Sequence, residues 1–216
     1  MIVNEIFSSI DGEGIRTGEL ATFIRLAGCN LRCRYCDTEY ALDNNLGSEM
    51  NITEILNEVK KYKNRNITLT GGEPLAHKET NKLIEELIKN NYFVNIETNG
   101  SIDIEPYIGK CLITMDYKCK SSLMEKTMLL SNLEKLSETD VLKFVINSED
   151  FDCIEKILRD FNIKSYIYIS PIFNEINLPD IVEFMKKCNE KGIDMSKVRM
   201  QVQLHKIIWN PDMRGV

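Results

Sequence analysis

The chain is predicted to be a single α/β domain, residues 1–216, built on a mainly parallel sheet. Short β-branched runs alternate with helical stripes along most of its length, which is the pattern of right-handed βαβ units. A chain of 216 residues that is 43% hydrophobic can build one sizeable core. No repeat is visible beyond the βα rhythm, so one sheet, curled into a barrel-like layer or left open and doubly wound, is the expected outcome. Either way, function should gather at the C-terminal ends of the strands.

After the N-terminal segment, the strands are read at Ala21–Leu26, Ile67–Thr70, Phe93–Glu97, Leu112–Met115, Val141–Ile146, Tyr166–Ser170 and Val198–Leu204. Asn51 and Glu54 have the spacing of a capping box, opening a helix with Ile52, Ile55, Leu56, Val59 and Tyr62 on one face. Similar stripes recur in Leu83, Ile84, Leu87 and Ile88, in Ile154, Ile157, Leu158 and Phe161, and in Ile181, Val182 and Met185. All are expected to face the core. Lys118–Asp140 is the least regular stretch, with a short helix expected near Leu129–Leu136.

A net charge of −6 argues against a surface that tracks phosphate backbones, so nucleic acid is not an expected partner. No run approaches the roughly 18 uninterrupted apolar residues of a membrane span, and the N-terminus does not resemble a secretory leader. The chain is therefore expected to be soluble and cytoplasmic, without a membrane partner. Seven cysteines, three of them within eight positions, do not form a secreted disulfide framework.

Those three, in AGCNLRCRYCDTEY, are Cys29, Cys33 and Cys36, spaced C-x3-C-x2-C just beyond a predicted strand. One loop can turn three thiolates around a cubane, and soft sulfur suits cluster iron. Three ligands leave one iron open, whereas structural zinc would want a fourth ligand, and His77 and His205 are both remote in sequence. An accidental cysteine cluster is the other bland reading. The motif resembles the radical S-adenosylmethionine (SAM) superfamily, which implies a partial βα barrel, a [4Fe-4S] cluster and SAM chelated at the open iron. Reductive cleavage would then yield a 5′-deoxyadenosyl radical, with no catalytic side chain required beyond cluster and SAM.

By that resemblance, Tyr35, Cys36 and Asp37 lie near SAM, although a ring like that of Tyr35 could equally pack the loop onto the barrel. LTGGEP places Gly71, Gly72 and Glu73 after a strand and resembles the segment that meets the SAM amino group. Alone it would be read as a tight connection. IETNG ends the next strand similarly, with Thr98 facing the substrate and Gly100 facing SAM. Asp116, Tyr117, Lys118 and Ser170 are expected at SAM on the family pattern; the residues themselves say only that polar groups end two strands.

SSIDGEG, FIRLAGC, CDT, DYKCKSS and the closing QLHKIIWNPDMRGV resemble the 7-carboxy-7-deazaguanine synthases nearly end to end. The resemblance implies conversion of 6-carboxy-5,6,7,8-tetrahydropterin to 7-carboxy-7-deazaguanine with loss of ammonia, on the route to queuosine. SAM would be recycled, Mg2+ required, a flavodoxin or ferredoxin would supply electrons, and the enzyme would be a homodimer. Thr38 is the implied magnesium ligand, completed by substrate oxygens; a threonine capping the next turn is the alternative. Arg25, inside the barrel mouth, needs an anion, either the pterin carboxylate or one of the 33 acidic side chains. Glu13 with Ile10, Asp11 and Gly12 would hold the amino-pyrimidinone edge.

His205, on the last predicted strand, would join the substrate pocket by the QLHK match, although a lone histidine among apolar neighbours is more often a core residue. The tail after that strand, with no helix to dispose of it, would fold over the barrel mouth and offer the Val216 carboxylate to the substrate. One departure stands out. Many synthases carry Gln where this chain has Asp11, and IDGEGIR lies between them and the glycyl-radical-enzyme activases, which share the cysteine spacing. An activase is thus the runner-up. A non-catalytic iron–sulfur electron carrier, which would usually have a fourth cysteine, is a more distant one.

Overall fold

The computed structural model describes all residues 1–216. Its strands are β1 (Ile2–Ile10), β2 (Leu20–Leu26), β3 (Ser48–Glu49), β4 (Asn66–Gly71), β5 (Phe93–Thr98), β6 (Leu112–Tyr117), β7 (Val141–Ile146), β8 (Tyr166–Pro171) and β9 (Val198–Met200). They form one sheet in the order β3-β1-β2-β4-β5-β6-β7-β8-β9. From β2 to β9 every neighbouring pair is parallel, while β1 runs antiparallel to both β2 and β3. The sheet does not close on itself by strand pairing, which makes it a partial βα barrel.

Helices α1 (Ile52–Lys60), α2 (Thr80–Lys89), α4 (Phe151–Asp160) and α5 (Leu178–Glu190) supply crossovers, while the shorter α3 (Asn132–Lys135) lies between β6 and β7 and α6 (His205–Ile208) follows β9. The capping box of Asn51 and Glu54 opens α1 as the spacing predicts. Three of the four stripes are narrower than expected: Ile88, Val182 and Tyr62 are exposed, and Tyr62, beyond the last turn of α1, donates its hydroxyl to the Ile6 carbonyl at 2.9 Å. A helix against one sheet face buries its i, i+3 and i+4 positions, and the flanking residues see solvent.

Period-two alternation gives the sheet two different faces. Ile67, Leu69, Ile96, Ile113, Leu142, Phe144, Ile167 and Ile169 are fully or almost fully buried, in one hydrophobic cluster of 36 residues with the helix stripes. The intervening positions are Phe23 and Arg25, Thr68 and Thr70, Asn95 and Glu97, Thr114 and Asp116, and Lys143. The strand register sets Arg25 beside Thr70, Glu97 beside Thr114 and Asp116 beside Lys143. This second face is polar and forms the barrel lumen.

One strand is added to those expected, and two expectations are corrected. β1 was not legible, because only Val3 and Ser9 of IVNEIFSSI are buried and the run has no clean alternation. The last strand stops at Met200 instead of Leu204, and His205 opens α6, so the tail does follow a helical turn. The turn is short, and the residues beyond it return over the lumen. No helix is long and apolar enough to cross a membrane.

The lateral gap between the two ends of the sheet is bridged by side chain instead of strand. Gln201 Oε1 accepts the Gly14 N–H at 2.7 Å, and its amide donates to the Gly14 carbonyl and to Thr17 Oγ1. Gly14 is buried, so removing this partner leaves an unsatisfied N–H. Gln201→Leu should therefore lower unfolding free energy by about 1–3 kcal/mol, read as a reduced midpoint in urea with unchanged slope. An unchanged midpoint would show that the seam is closed elsewhere.

Candidate functional site

A cavity of about 550 Å3 occupies the lumen and opens at the C-terminal ends of the strands. The Cys29–Cys36 loop leaves β2 and lies across its mouth, and four other strand exits hold it down. Gly72 N donates to Leu26 O and Glu73 N to Gly28 O, both at 2.9 Å, after β4. Asn99, after β5, donates its amide to Asn30 Oδ1 at 3.0 Å and to Cys29 Sγ at 3.8 Å. Arg34 reaches the Ser121 and Ser122 carbonyls after β6, and the Tyr35 hydroxyl donates to Val145 O at the end of β7.

The two glycines of LTGGEP have a specific cause. A Cβ on Gly71 would lie 2.1 Å from Leu26 O, and one on Gly72 would lie 2.2 Å from Gly28 O. The backbone they must approach is that of the cysteine loop, and Gly71 also has φ +134°, where L side chains are strained. Both glycines line the cavity as well.

Cys29, Cys33 and Cys36 line the cavity with free thiols. No three His, Cys, Asp or Glu side chains converge as they would on a single metal ion. A cubane makes a different demand, because each thiolate takes its own iron. The donor set fits one: three soft ligands come from one loop, and N–H groups of Leu31 and Asn99 point at Cys29 Sγ. Burial pushes the Cys33 thiol up to about 11 and raises Cys29 and Cys36 too, so three thiolates are held here only with compensating positive charge such as iron supplies.

Most of the expected site residues come together on this wall: Ile10, Asp11, Gly12, Glu13, Arg25, Tyr35, Asp37, Thr38, Gly71, Gly72, Thr98, Asp116, Lys118, His205 and Val216. Four do not. Tyr117 is on the helix side of β6, packed on Phe144 with ring centroids 5.6 Å apart, because it is one position out of phase with Asp116. Glu73 is completely buried, accepting Leu75 N, Thr98 Oγ1 and Asn99 N, and braces the β5 exit. Gly100 turns toward Met115, and Ser170 is completely buried without reaching the cavity.

Arg25 has found its anion in the protein: Nε donates to Glu5 Oε1 at 2.7 Å, with the guanidinium near the Phe7 and Tyr40 rings. Its two Nη groups make no protein hydrogen bond and remain available to a carboxylate in the cavity. Thr38 caps no turn; its hydroxyl donates to Asp37 Oδ1 at 3.0 Å, so two oxygen-bearing side chains stand side by side next to Cys36. Asp116 Oδ2 lies 3.0 Å from Lys118 Nζ and 3.4 Å from Lys143 Nζ, and Lys118 sits over the Tyr35 ring. Lys143, Glu97 and Lys206 on the same wall were not anticipated.

Residues 23–109 match the family model of the radical SAM superfamily. Fold, cysteine loop and family together define a radical SAM enzyme. Over 99% of this chain and 98% of its own length, the 7-carboxy-7-deazaguanine synthase of Clostridium acetobutylicum is 43% identical. That of Methanospirillum hungatei is 38% identical over 98% of this chain and 86% of its own. A crystal structure of QueE from Escherichia coli shares the fold, with a TM-score of 0.69 at 22% identity and 93% coverage of both chains. The chain belongs to the 7-carboxy-7-deazaguanine synthase family and acts as a radical SAM lyase in 7-deazapurine biosynthesis.

Asp11, the departure from the common Gln, is 3% exposed and takes a 2.8 Å hydrogen bond from Thr68 Oγ1. Burial, aided by Glu97, raises its pKa to about 7, against the partial relief of Thr68 and Arg16. An unfolded aspartate titrates near 3.9. Between about pH 4 and 7 the folded state therefore binds more protons, and this residue's contribution to stability falls as pH rises through that window. A rise of that size bounds the loss at about 4 kcal/mol. Asp11→Asn should thus raise the thermal midpoint more at pH 8 than at pH 5, by about 5 °C or more. An equal effect at both pH values would contradict the buried-acid account.

Proposed function

We propose that the enzyme converts 6-carboxy-5,6,7,8-tetrahydropterin to 7-carboxy-7-deazaguanine and ammonia. The observation that carries this reading is a single cavity with the three-thiol loop across its mouth and Glu13, the open Nη groups of Arg25 and the chain's last residue on its walls. Substrate and products balance without net electrons, which suits a cofactor that takes a hydrogen atom and returns it.

In this reading Cys29, Cys33 and Cys36 hold the [4Fe-4S] cluster. When bound, the cluster supplies the electron that cleaves SAM. Gly71 and Gly72 offer backbone without a side chain to obstruct SAM, with Tyr35, Asp37, Asp116 and Lys118 around it. Glu13 accepts from the ring N–H and amino donors of the pterin, and Ile10, Asp11 and Gly12 complete that edge. A planar guanidinium fork at Arg25 matches the substrate carboxylate, whose negative charge it offsets. Thr98 and His205 face the ring. Val216 lies on the same wall, and the tail bearing it keeps water from the cavity.

Mg2+ would take the Thr38 hydroxyl together with water and substrate oxygens, orienting the carboxylate and balancing its charge. A homodimer, a flavodoxin or ferredoxin as electron donor, and a cytoplasmic location complete the reading, the last supported by seven free cysteines. The activase alternative is not favoured, since relatives matching nearly the whole chain are synthases.

The test is anaerobic turnover of reconstituted enzyme with dithionite, SAM, Mg2+ and the carboxytetrahydropterin, followed by mass analysis. A product lighter than substrate by one ammonia is expected, and SAM cleavage without that product would contradict the reading. Thr38→Ala should keep its cluster absorbance but lose most of the rate increase on adding Mg2+. Full Mg2+ activation in that variant would remove Thr38 from the metal site.

A further inference from the structure

Lys143 is the only charged residue in β7, whose six positions VLKFVI are all buried. Its side chain is 8% exposed and points into the lumen, where Nζ donates to Glu13 Oε2 at 3.0 Å. Asp116 Oδ2 lies 3.4 Å away on the other side. Lys118 reaches that same oxygen and continues to the Tyr35 ring, so charges alternate along the wall in the order Glu13, Lys143, Asp116, Lys118. The remaining oxygens, Glu13 Oε1 and Asp116 Oδ1, are buried and have no hydrogen-bond partner.

Glu13 is not a sheet residue. It comes from the β1–β2 connection, facing a wall that already carries Asp116 and Glu97. Like charges in a lumen of low dielectric would push its carboxylate away, and an unpaired buried carboxylate is costly. Burial opposes the charge on Lys143, but Glu13, Asp116 and Glu97 outweigh it and keep the ammonium charged. A neutral side chain of equal length at this position would leave the loop carboxylate with nothing to hold it over the sheet.

We infer that Lys143 is a positioning residue for substrate recognition: by engaging Glu13 Oε2 it fixes the carboxylate with Oε1 presented as a bare acceptor for the ring N–H donors of the pterin. This rests on the proposed role of Glu13 at the pterin edge. Lys143 touches neither substrate nor cofactor in this role. Its effect passes through Glu13, and that makes it separable from a general contribution to folding.

Binding of 6-carboxy-5,6,7,8-tetrahydropterin is titrated calorimetrically into the reconstituted, SAM-loaded holoenzyme without reductant, so that no turnover occurs. Losing a charge-assisted hydrogen bond weakens binding by roughly ten- to a hundredfold. Lys143→Met and Glu13→Gln should each show a loss of that order, while the double variant binds about as weakly as Glu13→Gln alone. Lys143→Arg should restore most of the affinity, and iron content should stay at the native level throughout.

Tight pterin binding by Lys143→Met alongside weak binding by Glu13→Gln overturns the inference and leaves the reading of Glu13 intact. Unchanged affinity in Glu13→Gln overturns both. If Lys143→Met fails to fold, the double variant, which removes the charge from both partners, carries the test. A further loss in it beyond that of Glu13→Gln would show that Lys143 acts on its own and would sink the proposal.

Discussion

The site depends on a close approach of backbone to backbone. Gly71 and Gly72 run so near Leu26 and Gly28 that neither can carry a side chain, and the hydrogen bonds Gly72 N to Leu26 O and Glu73 N to Gly28 O join the two strand exits. This contact seats the cysteine loop across the strand ends. Glu73 then extends the same constraint to β5 by accepting Thr98 Oγ1 and Asn99 N, and Asn99 returns to Asn30 and Cys29. Burial raises the Glu73 carboxyl to about 7, an energetic cost that buys a rigid roof.

Below that roof, one sheet serves two solvents. Its helix side is a conventional apolar core, whereas its lumen side carries Arg25, Glu97, Asp116 and Lys143 in a partly enclosed space. Such a face is stable only because Arg25 and Asp116 have opposite charges beside them, Glu5 and Lys143, and because threonines and asparagine between the charges exchange hydrogen bonds, as Thr70 does with Glu97 and Thr114 with Asn95. Of the polar atoms left without partners, Asp11 Oδ2, Glu13 Oε1 and Asp116 Oδ1 belong to residues of the lumen wall, where a ligand can complete them. The open barrel therefore gives up closure by strands and gains a chamber; Gln201, α6 and the returning tail cover what pairing leaves exposed.

Much of this was legible from residues. The parallel strands followed from βα alternation, although their order did not, the cluster loop from thiol spacing, and Arg25 from the cost of an unpaired guanidinium, although its first partner is Glu5. Where reading failed, the reasons are physical. β1 is half-exposed and gives no periodic signal. A contiguous motif puts Tyr117 in the site together with Asp116 and Lys118, whereas the period of two sends alternate residues to opposite faces. The same rule could have found Lys143, since a single lysine inside a buried strand must be paired, and Glu97, two residues from Asn95 on the lumen side. A Gly-Gly pair after a strand reads as room for a ligand, yet its closest constraint is the neighbouring loop.

With three cysteine ligands, one iron of the cluster lacks a protein ligand. Cys29, Cys33 and Cys36 line the chamber, and Cys119 and Cys188 are buried elsewhere. Mössbauer spectra of the 57Fe-reconstituted enzyme, recorded before and after SAM is added, address this most directly. The account predicts that SAM shifts the parameters of a single iron of the four and leaves the other three unchanged. Four equivalent irons indifferent to SAM would mean that the cluster is fully ligated by protein, and would contradict it.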